Sequence, residues 1–449
     1  MIVLGGLGCV FGLDRGVIDD VLAGTARGAK GREAVEANLK AVSLGFEAAS
    51  RLVPPDKRLP IERLPDEGRL LLSGDEAMAF GALAAGCRFF AAYPICPASE
   101  VWQWLVGRFP GFDGLLVQTE DEPAALNMAL GAALAGARSM TSTSGPGGAL
   151  MMEAFSLAGM AEIPVVISHV QRVGPGTGIP TKTEQSDLLL WVFGSHGDFP
   201  RIVLAPGSLE ECFDLTVKAF NLAERFQCPV VVLTEQDMGQ NLRTCSRFNL
   251  RAVTVDRGRL AGPEDLGGGE DFKRYAFTAD GISPRSFPSQ KGGRHMVEGN
   301  EHDETGFRDE TEENRARMAE KRARKLLSAS AEDFVPGCVW GPETARLGLV
   351  LTGSVLGAAL ESLEGLRALG LEAKILQIRT LWPFPAEEVR SFLSGCDEAY
   401  VVENNFGGQL RNLIRSRDAS PRALGSVLKY SGQAFQPSDI VRGVTKLRR

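Results

Sequence analysis

The chain has 449 residues, a formal net charge of -7 and a sequence pI near 5.5. That length favours two or three domains, each large enough to bury a core, and the charge offers no basic field for nucleic acid. Hydrophobic residues make up 44% of the chain, and no run of about 18 or more apolar residues could span a bilayer. Neither nucleic acid nor a membrane is therefore expected as a partner. Eight cysteines, Cys9, Cys87, Cys96, Cys212, Cys228, Cys245, Cys338 and Cys396, lie far apart with no C-x-x-C pair. This argues against a zinc or iron-sulfur site held by this chain alone and fits a reducing cytoplasm.

In chain order, residues 1–50 read as a helical piece too small to fold as a domain. The opening MIVLGGLGCVFGL is apolar, but no positive charge precedes it and no A-x-A cleavage site follows, so it reads as a packed helix, not a signal peptide. After Gly12-Leu13-Asp14 come a short amphipathic helix, a basic turn and a helix from Arg32 to Ala49. Residues 51–68, rich in Pro and charge, read as a linker.

From Arg69 to Gln240 short apolar runs alternate with helical periods, which predicts a parallel sheet covered by helices. Strands are expected near Leu70 to Leu72, Phe89 to Ala92, Leu115 to Gln118, Arg138 to Thr143, Val165 to His169, Ile202 to Leu204 and Val230 to Leu233. The longest helix is expected from Ser208 to Arg225. In such sheets ligands sit beyond the carboxyl ends of the strands, where loops beginning at Tyr93, Glu120, Ser142 and Gln171 converge. The first α/β domain is read as 69–260.

At its centre stands VQTEDEPAALNMALGAALAGARSMTSTSGPGG, Val117 to Gly148. Three acids, Glu120, Asp121 and Glu122, close a strand that reads as buried, just before Pro123, which suits the first position of a helix. That helix carries so many Ala and Gly residues that something must pack closely against it. The turn Ser144-Gly145-Pro146-Gly147-Gly148 can bring backbone amides up to a ligand. Glu122, ahead of Glu120, is the candidate acid, placed to share a proton with a nitrogen heterocycle. The plainer reading is that these acids cap the helix and favour its positive end, for about 0.3–1 kcal/mol.

Arg172, followed by Gly174-Pro175-Gly176-Thr177-Gly178, opens a loop where a guanidinium fork suits a carboxylate substrate; the alternative is a local pair with Glu184 or Asp187. The strings GPGTG and SGPGG lack the Lys and Ser/Thr of a P-loop and are weak phosphate motifs. Cys96 has no His near it in sequence, so a nucleophilic role is disfavoured, and the four histidines form no triad pattern.

Residues 261–345 are polar, rich in Gly and charge, and end in a charged helix from Glu312 to Leu327. His295, Glu298, His302, Asp303 and Glu304 cluster there, but H-x6-H is no known metal spacing. The expectation is a solvated, hydrogen-bonded connector and no metal. A second α/β unit, 346–449, follows: strand Leu347 to Thr352, helix Ser354 to Leu369, strand Ala373 to Ile378, helix Pro385 to Leu393 and strand Ala399 to Glu403.

The strings YPICPASE (93–100), QTEDEPAALNMALGAALAGA (118–137), TSGPGG (143–148), GIPTKTEQSDL (178–188), DGISPRSFP (280–288), GGRHMVEGNEHDE (292–304), TLWPFP (380–385) and VVENNFGGQL (401–410) together resemble the alpha subunit of 2-oxoacid:ferredoxin oxidoreductases. The branch most resembled is 2-oxoglutarate synthase, and residues 1–50 resemble the tail of the gamma domain fused ahead of many such chains. The resemblance implies an α/β fold: a thiamine-diphosphate-binding, pyrimidine-type domain followed by a transketolase carboxy-terminal-like domain. It implies oxidative decarboxylation of a 2-oxoacid, transfer of the acyl group to coenzyme A as co-substrate, and electrons passed to ferredoxin.

Thiamine diphosphate would be shared with a beta subunit carrying Mg2+ and an iron-sulfur cluster. Glu122 matches the glutamate that hydrogen-bonds the aminopyrimidine ring and favours its imino tautomer. Tyr93 and Pro94 fall in the cofactor-binding turn, and Arg172, Cys96 and Thr177 match substrate-binding positions. Two departures stand out. Cys96 replaces the family's threonine, and a thiol is a weaker donor than a hydroxyl. Nearly all of the gamma domain is missing, which implies a separate gamma subunit, a start further upstream, or loss of transfer to coenzyme A. Competing expectations are a branched-chain or aryl 2-oxoacid substrate, or a noncatalytic assembly or regulatory subunit.

Overall fold

A computed structural model describes residues 1–24, 28–62, 68–266, 271–417, 419 and 424–448. Residues 25–27 of the basic turn, 63–67 of the segment read as a linker and 267–270 of the connector lie outside them. The chain divides into two compact units, Met1–Gly68 and Arg69–Arg449.

The first unit is helical: α1 (Ile2–Phe11), α2 (Arg15–Gly24) and α3 (Gly28–Leu52). Helix α1 packs on α3 at backbone distance, which only glycine permits. A Cβ at Gly5 would lie 2.0 Å from the Val42 carbonyl oxygen, and one at Gly45 would lie 1.9 Å from that of Ile2. Among the described residues no helix is long and apolar enough to cross a membrane.

The second unit is α/β. Its strands are β1 (Leu70–Leu72), β2 (Cys87–Ala92), β3 (Leu115–Gln118), β4 (Arg138–Thr143), β5 (Val165–Gln171), β6 (Ile202–Leu204), β7 (Pro229–Glu235), β8 (Arg243–Cys245), β9 (Cys338–Trp340), β10 (Leu347–Leu351), β11 (Ala373–Gln377), β12 (Thr380–Trp382), β13 (Glu398–Glu403) and β14 (Gly425–Leu428). Seven form a sheet in the order β12-β6-β7-β5-β4-β2-β3, parallel except for β12. Five form a second sheet, β14-β13-β10-β11-β9, with β9 antiparallel. The central strands β4, β5 and β7 are buried along their whole length, as strands with parallel neighbours on both sides and helices over both faces are.

Two strand expectations need correction. Leu70 to Leu72 does not enter the large sheet; it pairs antiparallel with β8 in a separate ribbon. Ser73 follows at once and caps α4 (Gly74–Ala84) in a reciprocal box with Glu76, so the chain turns into helix before it can reach the sheet. Strand β3, expected to be buried, is the edge strand, with Leu115 58% exposed. Strand β12, from the TLWPFP string, closes the opposite edge against β6, so the segment read as the second unit contributes to the first sheet.

The connector is also less solvated than its composition suggests. Glu162, left-handed at φ 53°, is fully buried and binds Lys321 Nζ at 2.7 Å and Lys325 Nζ at 2.6 Å. Arg322 forms a forked pair with Glu301, and Arg274 donates to Gln227 and to the Glu162 carbonyl. Polar residues read as solvent-facing thus dock the helix Glu312–Leu327 onto the sheet unit. Among the described residues no group of three or more His, Cys, Asp or Glu could hold a metal. His302 is fully buried against Tyr275, and Asp303 folds back on the amides of Thr305 and Phe307.

Candidate active site

The parallel register brings the ends of β2, β4 and β5 to one edge, where the loops that follow them meet. The three acids after β3 separate there by burial and bonding. Asp121 is the N-cap of the helix Glu122–Leu134 and accepts from the Ala124 amide at 2.7 Å, so capping falls to it. Glu120 is exposed. Glu122, only 5% exposed, accepts no hydrogen bond and forms no ion pair among the described residues. Its carboxylate lies against the turn after β4: a Cβ at Gly147 would sit 2.5 Å from Glu122 Oε1 and 2.3 Å from Thr143 Oγ1. The hydroxyls of Thr143 and Ser144 are buried there without a partner.

The same turn reaches Arg172. A Cβ at Gly145 would lie 3.9 Å from both Arg172 Cγ and Asp187 Oδ2. Arg172 is 6% exposed; its Nη1 donates to the Cys96 carbonyl at 2.6 Å and its Nη2 to the Thr177 carbonyl at 3.0 Å, while Nε is buried and unpartnered. The anticipated local pair does not form. Glu184 accepts from the Gly174 amide and from Ser186, and Asp187 binds His169 Nε2 at 2.8 Å. Thr177 is exposed, and its carbonyl, not its hydroxyl, is what Arg172 touches. Tyr93 and Pro94 are exposed at the head of the turn that carries Cys96.

Cys96 Sγ donates to the Pro180 carbonyl at 3.5 Å and lies 3.9 Å from Gln240 Nε2. The same Gln240 amide donates to Glu100, a carboxylate that can only accept. Burial first, and then the Glu100 charge, push the Cys96 thiol up, so sulfur here is a neutral donor and not a nucleophile.

Three groups escaped sequence reasoning: the His169–Asp187 pair, Gln240 with Glu100, and Asp75. His169 is fully buried, with its Nδ1 unpartnered beside Gly148. Its row on the sheet could have been found, since His169 stands in register with Thr143; its pairing with Asp187, at the far end of the loop after β5, could not. Asp75 is buried with neither oxygen bonded, and burial, then Glu100 and Glu76, push its carboxyl well above the usual range.

Glu235, at the end of β7, is 1% exposed, and burial pushes its carboxyl up to about 7. Between its ordinary value near 4.5 and that pH the folded chain keeps a proton that the unfolded chain has released. Stability therefore falls as pH rises through this window, by on the order of 3 kcal/mol. In Glu235→Gln that slope is expected to vanish, leaving the variant the more stable at pH 8, as urea midpoints at pH 5, 6, 7 and 8 will show.

A family model described as pyruvate flavodoxin/ferredoxin oxidoreductase, thiamine diphosphate-binding, matches residues 80–321, and one described as pyruvate:ferredoxin oxidoreductase core domain II matches residues 345–440. The chain is 36% identical over 433 residues to the alpha subunit of 2-oxoacid:ferredoxin oxidoreductase 2 of Aeropyrum pernix, covering 92% of this chain and 66% of that one. It thus spans just under two thirds of that relative. It is 35% identical over 385 residues to the 2-oxoglutarate synthase subunit KorA of Methanothermobacter thermautotrophicus, covering 84% of this chain and 98% of that subunit. Among solved structures it is similar to a 2-oxoglutarate:ferredoxin oxidoreductase from Magnetococcus marinus with 2-oxoglutarate, coenzyme A and succinyl-CoA bound, at TM-score 0.89 and 35% identity over 100% of this chain and 77% of that one.

Proposed function

We propose, because the chain belongs to the family of 2-oxoacid:ferredoxin oxidoreductase alpha subunits, that it is the catalytic alpha subunit of such an enzyme with 2-oxoglutarate as its first substrate. The reaction converts the 2-oxoacid and coenzyme A to acyl-CoA and CO2, and the electron pair released passes to ferredoxin. The observation that carries this reading is Glu122, a buried carboxylate without a partner among the described residues, at the head of its helix. It fits the aminopyrimidine half of thiamine diphosphate, which needs an acceptor at such a place, and Gly147 leaves room where any side chain would intrude.

When bound, that cofactor supplies the electron sink that lets the carbon-carbon bond beside the 2-oxo group break. Glu122 holds the ring and shares a proton with its nitrogen. Arg172, steadied by the carbonyls of Cys96 and Thr177, is the candidate ligand for the carboxylate of the substrate. Cys96, whose thiol donates to the Pro180 carbonyl, stands beside it, and the Tyr93-Pro94 turn would border the cofactor. The diphosphate, Mg2+ and the iron-sulfur cluster are assigned to a beta subunit, and the handling of coenzyme A to a separate gamma subunit or to the remainder of a longer chain.

The domain reading, 69–260 as the pyrimidine-type domain, 261–345 as connector and 346–449 as the transketolase carboxy-terminal-like domain, belongs to this proposal. So do the assignment of 1–50 to a gamma remnant and a cytoplasmic location, which eight cysteines with no disulfide among the described residues fit.

The test is dye reduction by the chain co-purified with its beta partner, given thiamine diphosphate, Mg2+ and a panel of 2-oxoacids with and without coenzyme A. Turnover of 2-oxoglutarate that needs coenzyme A supports the reading; preference for a branched-chain or aryl acid redirects the substrate. No turnover in a stable complex favours a noncatalytic subunit. One observation speaks for that second reading: the Cys96 thiol is already spent on Pro180. Cys96→Thr separates the two, since a gain of about tenfold or more marks a decayed site and an unchanged rate an adapted one.

A further inference from the structure

Two of the strings that carried the family resemblance, GIPTKTEQSDL and VVENNFGGQL, do no chemistry in the site described, yet they meet in space. Gln185 is 3% exposed and lies 219 positions from Asn404, with which it pairs like a short strand. Its amide donates to the Asn404 carbonyl at 2.7 Å, and its side-chain Oε1 accepts from the Asn404 amide at 3.0 Å. Its Nε2 donates to the Thr352 carbonyl at 2.9 Å and to Glu235. Its own carbonyl accepts from Asn405 Nδ2 at 2.9 Å. One turn further on, Gln409 Nε2 donates to the Ser186 carbonyl and its Oε1 accepts from the Leu189 amide. Every polar group of Gln185 is thereby used in a buried seam, where such bonds are stronger than in water and costly to leave unmade.

Each side of the seam is itself held. Asn404 Nδ2 donates to the carbonyls of Lys429 and Gln433, and Asn405 Oδ1 accepts from the Gly408 amide. Upstream, the loop 172–187 leaves β5 at Arg172 and closes on itself through Val173, Ile179 and Lys182. Residues 174–179 are exposed, and Arg172 reaches only the Thr177 carbonyl among them. The return limb, 184–189, is where the second sheet takes hold.

We propose that Gln185 and Gln409 are positioning residues of a latch by which residues 404–409, at the end of β13, hold the loop that carries Arg172 and Thr177. The latch keeps the guanidinium in place, so the affinity for the substrate carboxylate is set from the second sheet. This rests on the reading of Arg172 as carboxylate ligand, and the experiment separates the two ideas.

Gln185→Leu removes every side-chain bond at similar size, Gln409→Ala removes two bonds at a less buried position, and Gln409→Glu keeps only the acceptor for the Leu189 amide. In the assembled complex Gln185→Leu is expected to raise KM for the 2-oxoacid about tenfold with kcat within roughly threefold, the pattern of lost binding. Gln409→Ala should follow in the same direction, and Gln409→Glu, which sets a carboxylate oxygen against the Ser186 carbonyl, should lose at least as much. Amide exchange in 173–188 should quicken about tenfold while β5 and β7 stay protected. Exchange in 173–188 unchanged in both Gln185→Leu and Gln409→Ala overturns the latch, as does a uniform rise across the unit with kcat falling in step. Should Gln185→Leu fail to fold, Gln409→Ala decides. If the wild-type complex turns over no 2-oxoacid, the proposed function fails, and the exchange comparison alone decides the latch.

Discussion

Glu122→Gln is expected to abolish turnover in the assembled complex, by about 10²- to 10⁴-fold, the usual weight of a general acid-base group. Glutamine has the same shape, so the packing against Gly147 and Thr143 is retained and the chain should fold as before. What it loses is the capacity to share a proton: its oxygen can still accept, but its nitrogen can only donate. Cofactor binding should therefore weaken less than rate. Dye reduction and thiamine diphosphate titration on one preparation give both numbers, and near wild-type turnover would remove Glu122 from the mechanism. Asp121→Ala is the informative contrast, because that acid caps the helix and its loss should cost about 1 kcal/mol of stability with the chemistry intact.

The second large effect concerns Glu162. Burial alone would raise this carboxyl, but Lys321, Lys325 and Arg274 together outweigh it and hold it well below the usual range. In turn burial lowers the Lys321 amine to about 7 and lowers Lys325 as well. Glu162→Ala leaves two buried lysines without their counter-charge, for a loss of about 3–5 kcal/mol, and loosens the helix Glu312–Leu327.

The pH dependence carries the sign. A lysine whose folded value is depressed binds fewer protons folded than unfolded, so stability rises with pH above about 7. Without Glu162 both amines are easier still to neutralise, and the deficit of the variant should shrink between pH 6 and pH 8.5 in urea unfolding. A deficit independent of pH would mean that the pairing charge is not what holds this helix. Lys321→Met in the same background should restore part of the loss.

Much of this molecule was open to reading residue by residue. Strands β5 and β7 open on runs of branched apolar residues, and such runs have few places to go except between parallel neighbours. The helix Leu209–Phe226 announces itself by its apolar period, and the helix Glu312–Leu327 by its acidic start and basic end. The position of Glu122 also followed locally, because an acid next to Pro123 after a strand must stand at the mouth of the sheet. The α/β class and the edge on which the loops gather are consequences of such short-range patterns.

The remainder depended on contacts between residues far apart in the chain, about which local periodicity is silent. Leu70 to Leu72 has the composition of a sheet strand, and only the helix cap at Ser73 turns it away to β8. The charges of the connector look solvated until Glu162, more than a hundred positions earlier, is found beneath Lys321 and Lys325. Arg172 has two acids within reach in sequence and chooses backbone carbonyls instead, because His169 has taken Asp187 and the loop has folded Glu184 onto Gly174. Gln185 and Asn404 carry no chemistry that predicts their meeting. Hydrogen bonds are directional and short, so which partner a buried polar group finds is settled only when the sheets have packed, whereas burial of apolar runs is non-directional and is already written in their order along the chain.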